Sequence, residues 1–182
     1  MKNPNELHQN PNELHQNPNE LHKNPNELHQ LLSERFGEEH FEFHQDEKAE
    51  PWIVVSAGIL KDVAKYLRDE PGLEFDTLMC LSGVHYHKEE QLGVTYHLDS
   101  TSMKHKLILK VLMPQEDARL PSVEQIWKAA DWHEREAYDM FGIRFEGHPD
   151  HRRILCPDDW EGYPLRKDYQ VQPYYQGMKV EY

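Results

Sequence analysis

Almost every aliphatic run of this 182-residue chain lies between Trp52 and Phe141, and both flanks are polar. A core built from residues 52–141 suits one domain, and each flank must rest on that core or on another molecule.

Inside the core, Trp52-Ile-Val-Val-Ser56 is rich in β-branched residues and predicts a strand. Ile59, Leu60, Val63, Ala64 and Leu67 recur at helical spacing, and Pro71-Gly72 ends that helix. Three further strands are predicted over 77–84, 92–98 and 105–113, with links short enough to favour antiparallel hairpins. The expected fold is α+β in two layers, with helices packed on a mainly antiparallel sheet. Leu120-Pro121-Ser122 then introduces the best-marked helix. Ser122 and Gln125 fit a capping box, Glu124 sits in the first turn and Gly142 supplies the stop.

Beyond Gly142 the composition turns to Pro, Gly, Asp, Arg and aromatics with no helical period. Residues 143–182 therefore read as an extended tail that needs a partner surface. The other flank carries four near-identical heptads starting at Asn3, Asn10, Asn17 and Asn24. Each holds one leucine (Leu7, Leu14, Leu21, Leu28) and a proline, so a continuous helix or coiled coil is excluded. His8, His15, His22 and His29 recur with the same period, and a low-complexity tail is favoured over a transition-metal site. The organisation is a repeat tail over 1–30, a core domain over 31–142 and a partner-binding tail over 143–182. Leu28, Leu31, Leu32 and Phe36 predict a short helix ending at Gly37, and an acidic linker runs from Glu38 to Glu50.

With 20 Lys and Arg against 33 Asp and Glu, the formal charge is −13. That balance argues against tracking nucleic-acid phosphates or docking on anionic lipid. A protein partner is the better match. The longest apolar run, Trp52 to Leu60, is far short of the ~20 residues of a membrane span, and Met1-Lys2-Asn3-Pro4 opens no signal core. A cytoplasmic location follows. Cys80 and Cys156 match no paired motif and read as small apolar residues.

Placed at about 100° per residue, Val123, Ile126, Trp127, Ala130, Ala137, Tyr138 and Phe141 form one apolar stripe with Glu134 at its centre. A carboxylate there needs a cation or several donors, and the expected partners are Arg152 and Arg153 folding back, or a neighbouring chain. A structural ion pair is favoured over a proton-handling group, because no second catalytic residue stands beside it. The opposite face holds Trp132, Arg135, Glu136 and Asp139, an interface composition. His133-Glu134-Arg135-Glu136-Ala137 lacks the second imidazole of a zinc-protease motif. His85, His87 and His97 make a weak zinc candidate, to be joined by Glu134 if the chain were a metal-dependent hydrolase. No phosphate loop, nucleophile elbow or iron-sulfur cysteine array is present.

Read onward, Glu134-Arg-Glu-Ala-Tyr-Asp-Met-Phe-Gly-Ile143, Phe145 to His148, Arg152-Arg153-Ile-Leu155 and Pro157 to Tyr169 resemble the signature of the C-type subunits of NADH-quinone oxidoreductase. The resemblance covers about residues 28–170 and does not cover the repeats. It implies a non-catalytic peripheral-arm subunit of respiratory complex I, without flavin (FMN), iron-sulfur cluster or quinone of its own. It also implies packing against the D-type, quinone-site subunit near the B-type, cluster-bearing subunit, on the cytoplasmic side of the plasma membrane. Structural or interface roles then fall to Trp132, Glu134, Arg135, Glu136, Asp139, His148, Arg152, Arg153, Asp159, Trp160, Arg166, Lys167 and Asp168. His85, His151, Cys156 and Gln170 depart from the family pattern. Relatives that accept electrons from ferredoxin, or belong to membrane-bound hydrogenases, carry the same type of subunit.

Overall fold

The computed structural model describes residues 23–180. Its first helix, α1 (Pro25–Phe36), starts inside the fourth heptad. Asn24 accepts from the Glu27 N–H at 3.0 Å while Glu27 accepts from the Asn24 N–H at 2.9 Å, a reciprocal capping box. Pro25 takes the first helical position, where a missing donor costs nothing. The proline that forbids a helix running through all four repeats thus starts one here. Residues 1–22, which hold the first three copies up to His22 and with them His8 and His15, lie outside the described residues.

Strand β1 (Phe41–His44) occupies part of the expected acidic linker. Its Phe41 is buried and its Glu42 exposed, an alternation that net acidity conceals. Then follow β2 (Trp52–Val55), α2 (Leu60–Asp69), β3 (Thr77–Tyr86), β4 (Gln91–Asp99) and β5 (Lys106–Pro114). The five strands form one sheet in the order β1-β2-β5-β4-β3. Three of its pairings are antiparallel, and β2 runs parallel to β5. On β5, Leu107, Leu109, Val111 and Met113 are buried while Lys106 and Leu112 stay exposed. Leu28 and Leu32 of α1 and Leu60, Val63, Ala64 and Leu67 of α2 complete the core on the same face.

The third helix departs from expectation at its start. α3 spans Ala130–Phe141, and Ala129 at its N-cap makes no side-chain cap bond. Residues 124–129 form turns, pinned by the Trp127 indole N–H, which donates to the Phe75 carbonyl at 2.8 Å. The apolar spacing holds because Val123, Trp127 and Ala130 are buried in any case. Burial, not helix formation, sets the pattern. Gly142 ends α3 in the left-handed region at φ 76°, as expected.

α3 lies close on β3, where a Cβ on Gly83 would come within 2.6 Å of the Phe141 ring. Two short strands, β6 (Arg119–Pro121) and β7 (Arg144–Glu146), flank α3 and pair in parallel. From there the chain has little regular structure until the hairpin of β8 (Tyr174–Tyr175) and β9 (Met178–Lys179).

Candidate functional site

Of the four carboxylates on α3, two, Glu134 and Asp139, have 0% exposure. Glu134 sits on the apolar stripe as expected, but neither Arg152 nor Arg153 reaches it. Its Oε2 accepts from the Ser122 hydroxyl at 2.6 Å and its Oε1 from the Val123 N–H at 2.8 Å. Ser122, which reads as a helix cap in the sequence, donates to this carboxyl, and its oxygen accepts the Glu124 N–H of the turn at 3.2 Å. The correction follows from the helix start: with residues 124–129 in turns, Ser122 has no helix N-terminus to cap.

The nearest ring nitrogen to Glu134 is His148 Nε2, at 4.0 Å. His148 Nδ1 accepts the Asp150 N–H at 3.0 Å, which leaves the ring proton on Nε2, 3.2 Å from the Asp131 carbonyl. In this geometry His148 is a positioned donor, not a counter-cation. Burial pushes the Glu134 carboxyl up to about 7; the Ser122 and Val123 bonds oppose that rise and the charges of Glu124 and Asp131 add to it. The buried Tyr96 hydroxyl has no hydrogen-bond partner among the described residues, and its pKa is raised well above normal by burial and by the charge of Glu134.

The helical wheel puts Asp139 on an exposed face with Trp132, Arg135 and Glu136, and the structure overturns that for two of the four. Trp132 is 63% exposed, whereas Arg135 and Asp139 are buried. The cause is the C-terminal segment, which folds over this face. Asp139 Oδ2 accepts three successive backbone N–H groups, from Ile154 at 3.0 Å, Leu155 at 2.7 Å and Cys156 at 2.9 Å. Oδ1 accepts from Arg153 Nη1 at 2.6 Å. Burial alone would raise this carboxyl, but the N–H groups of Cys156 and Leu155, the Arg153 guanidinium and the Ile154 N–H hold it below the usual aspartate value.

Arg153 extends the clasp, donating through Nη2 to the carbonyls of Trp160 at 3.1 Å and Gly162 at 2.9 Å. Arg152, its neighbour, points outward and pairs with Asp150 at 2.9 Å. Arg135 lies 3.4 Å from Asp150, with its guanidinium 5.0 Å from the centre of the Trp132 ring.

The remaining predicted residues order the C-terminal segment against the chain itself. Trp160 donates to the Tyr169 hydroxyl at 3.1 Å, and Asp159 accepts from Tyr175 at 3.0 Å. Arg166 Nε donates to the Phe141 carbonyl at 2.6 Å. The Lys167 N–H donates to His85 Nδ1 at 2.9 Å, and Asp168 accepts from Gln115 at 2.8 Å. Glu136 is exposed. His85 Nε2 is 2.8 Å from Gln115 Oε1, so both its ring nitrogens are occupied. His97 lies on the opposite sheet face, because its β4 position alternates with Leu92, the partner of His85. Among the described residues no group of three His, Cys, Asp or Glu is placed to hold a metal ion.

A profile of the family described as respiratory-chain NADH dehydrogenase, 30 kDa subunit, matches residues 53–175. The C subunit of NADH-quinone oxidoreductase from Chloroherpeton thalassium is 50% identical over 154 residues, which are 84% of this chain and 64% of that one. The protein of the same name from Chlorobium phaeobacteroides is 47% identical over 153 residues, 84% of this chain and 92% of its own length. This chain thus spans under two thirds of the first relative and nearly all of the second. Among solved structures, a trypsin-resistant fragment of Nqo5 aligns with a TM-score of 0.56 at 29% identity, covering 68% of this chain and 98% of the fragment. A chain of the membrane-bound sulfane sulfur reductase, an archaeal respiratory membrane complex, aligns with a TM-score of 0.65 at 26% identity, covering 80% and 85%.

Proposed function

Because this chain belongs to the respiratory-chain NADH dehydrogenase 30 kDa subunit family, we propose that it is a non-catalytic peripheral-arm subunit of a proton-translocating NADH-quinone oxidoreductase. In this reading electrons pass from NADH through FMN and iron-sulfur centres to quinone on other subunits. This chain steadies the arm by docking on the quinone-site subunit and the cluster-bearing subunit. It is held at the cytoplasmic face of the plasma membrane through the complex. Among the described residues no helix is long and apolar enough to cross a membrane.

One observation carries the docking role. Of the eight large apolar side chains exposed among the described residues, five (Leu155, Leu165, Val171, Tyr174 and Met178) belong to the C-terminal segment. Scattered apolar residues need no explanation, but their concentration on one segment of the chain supports an interaction surface there. The Asp139 clasp fixes the backbone of that segment, so part of the entropy cost of ordering it is met before a partner arrives. Glu134 and Asp139 are sealed from solvent and spend their oxygens on the chain's own donors, which suits positioning and not chemistry on a substrate.

The test is co-purification. A tagged full chain should draw out the other subunits of the complex. A Leu155→Asp/Leu165→Asp double variant should keep its thermal midpoint yet retain less than about a tenth of those partners. Stoichiometric co-purification of the double variant would remove the docking surface.

The likeness to the archaeal sulfane sulfur reductase chain favours one second reading, the equivalent subunit of a related complex such as a ferredoxin-accepting dehydrogenase or a membrane-bound hydrogenase relative. NADH oxidation by the purified complex separates the two, since only the first reading requires it.

A further inference from the structure

Arg119 and Arg144 stand directly opposite each other across the β6–β7 pair. The next pair in register, Leu120 and Phe145, is buried, so both guanidinium side chains project from the solvent side. Like charges directly opposite on neighbouring strands destabilise a sheet. Arg166 reaches the same place from the C-terminal segment. Its Nε is held by the Phe141 carbonyl, and its guanidinium lies 4.7 Å from the centre of the Tyr163 ring. The three arginines line one depression of about 240 Å³. Asp117 pairs with Arg119, and Glu116 also lines the depression. Arg144 has no ion pair among the described residues.

We propose that this depression is a docking socket for a carboxylate side chain on an acidic segment of a neighbouring subunit. Three guanidiniums against the two acids leave a net charge of about +1, which a single carboxylate neutralises. A phosphate dianion would overshoot that balance and meet Asp117 and Glu116 at close range. Planar guanidinium forks match a carboxylate in two-point contact, and Arg166 is already immobilised, so little side-chain entropy is lost on binding. Leu165, the residue before Arg166 in the chain, is exposed. The proposal rests on the subunit reading and adds to it the chemistry of the contact.

The experiment uses the assembled complex containing the full chain. An Arg144→Lys variant gives the socket an amine that a zero-length carbodiimide couples to any carboxylate it touches. The expected product joins the peptide bearing position 144 to an Asp or Glu of another subunit. An Arg144→Glu variant should be retained in the complex about tenfold less than the unsubstituted chain while keeping its own thermal midpoint. Coupling only to Glu116 or Asp117 of the same chain, or undiminished retention of Arg144→Glu, would overturn the socket and leave the subunit reading intact. If the unsubstituted chain never enters the complex, both fall. Inorganic phosphate should leave the thermal midpoint of the isolated full chain unchanged. A phosphate-specific rise that Arg144→Glu abolishes would replace the docking socket with a small-anion site.

Discussion

Glu134 and Asp139 sit on one helix, are both shielded from solvent, and have been driven in opposite directions. Glu134 receives a hydroxyl and a single backbone N–H, faces no cation, and is pushed up to about 7. Asp139 receives three backbone N–H groups and a guanidinium, and is held low. Both are shielded from solvent, but Glu134 lies deeper in the protein, so depth of burial and the number and charge of the donors together decide the outcome. The helix core tolerates a carboxyl that titrates near neutrality, while the C-terminal segment is built around one that stays charged.

Removing the guanidinium should do the most damage. Arg153→Met strands a buried charge and should destabilise the chain by about 3–5 kcal/mol. It should also expose residues 154–162 to protease, checked by urea unfolding and limited proteolysis. Stability within error of the parent would break the comparison at its stronger half.

The pH dependence comes next. Glu134 binds its proton more tightly folded than unfolded, so its contribution is fully present below pH ~4.5 and is lost as pH rises through about 7. A rise of that size corresponds to about 3 kcal/mol. Glu134→Gln should therefore remove a decline in stability between pH 5 and pH 8. Asp139 has the opposite sign: its contribution is present above its ordinary aspartate pKa and is lost as pH falls through the lowered one. An unchanged pH profile in Glu134→Gln would show that Glu134 is not the titrating group.

Smaller effects sharpen the contrast. Ser122→Ala deletes the hydroxyl donor and should cost about 1–2 kcal/mol at pH 8, and less at pH 5 where the carboxyl is protonated. Arg152→Ala should cost less than about 1 kcal/mol by chemical denaturation, because its pair with Asp150 is exposed. Adjacent arginines would then differ severalfold in importance through the partner alone.

Periodicity makes the sheet and α2 legible, because alternation on β5 and the spacing of Leu60, Val63, Ala64 and Leu67 report burial directly. It places Glu134 on the buried stripe, and the need of a buried carboxylate for a partner brings Arg152 and Arg153 forward as candidates. It cannot assign which carboxylate Arg153 meets. Asp139 looks exposed because the segment that buries it comes from residues 153–156, and a wheel for one helix knows nothing of that cover. The same wheel overruns the true start of α3, since turns and helices can bury the same residues. β1 is hidden by its acidic surroundings, and β6 and β7 are too short to show a period.

The behaviour of Glu134 in the proposed complex tests the structural role proposed for these carboxylates most directly. Membranes carrying Glu134→Gln should contain a normal amount of complex and reduce quinone with NADH within about twofold of the parent rate, since the substitution removes a buried charge and no reacting group. A complex that assembles fully but loses more than about tenfold in turnover would make Glu134 part of the chemistry and contradict its structural role.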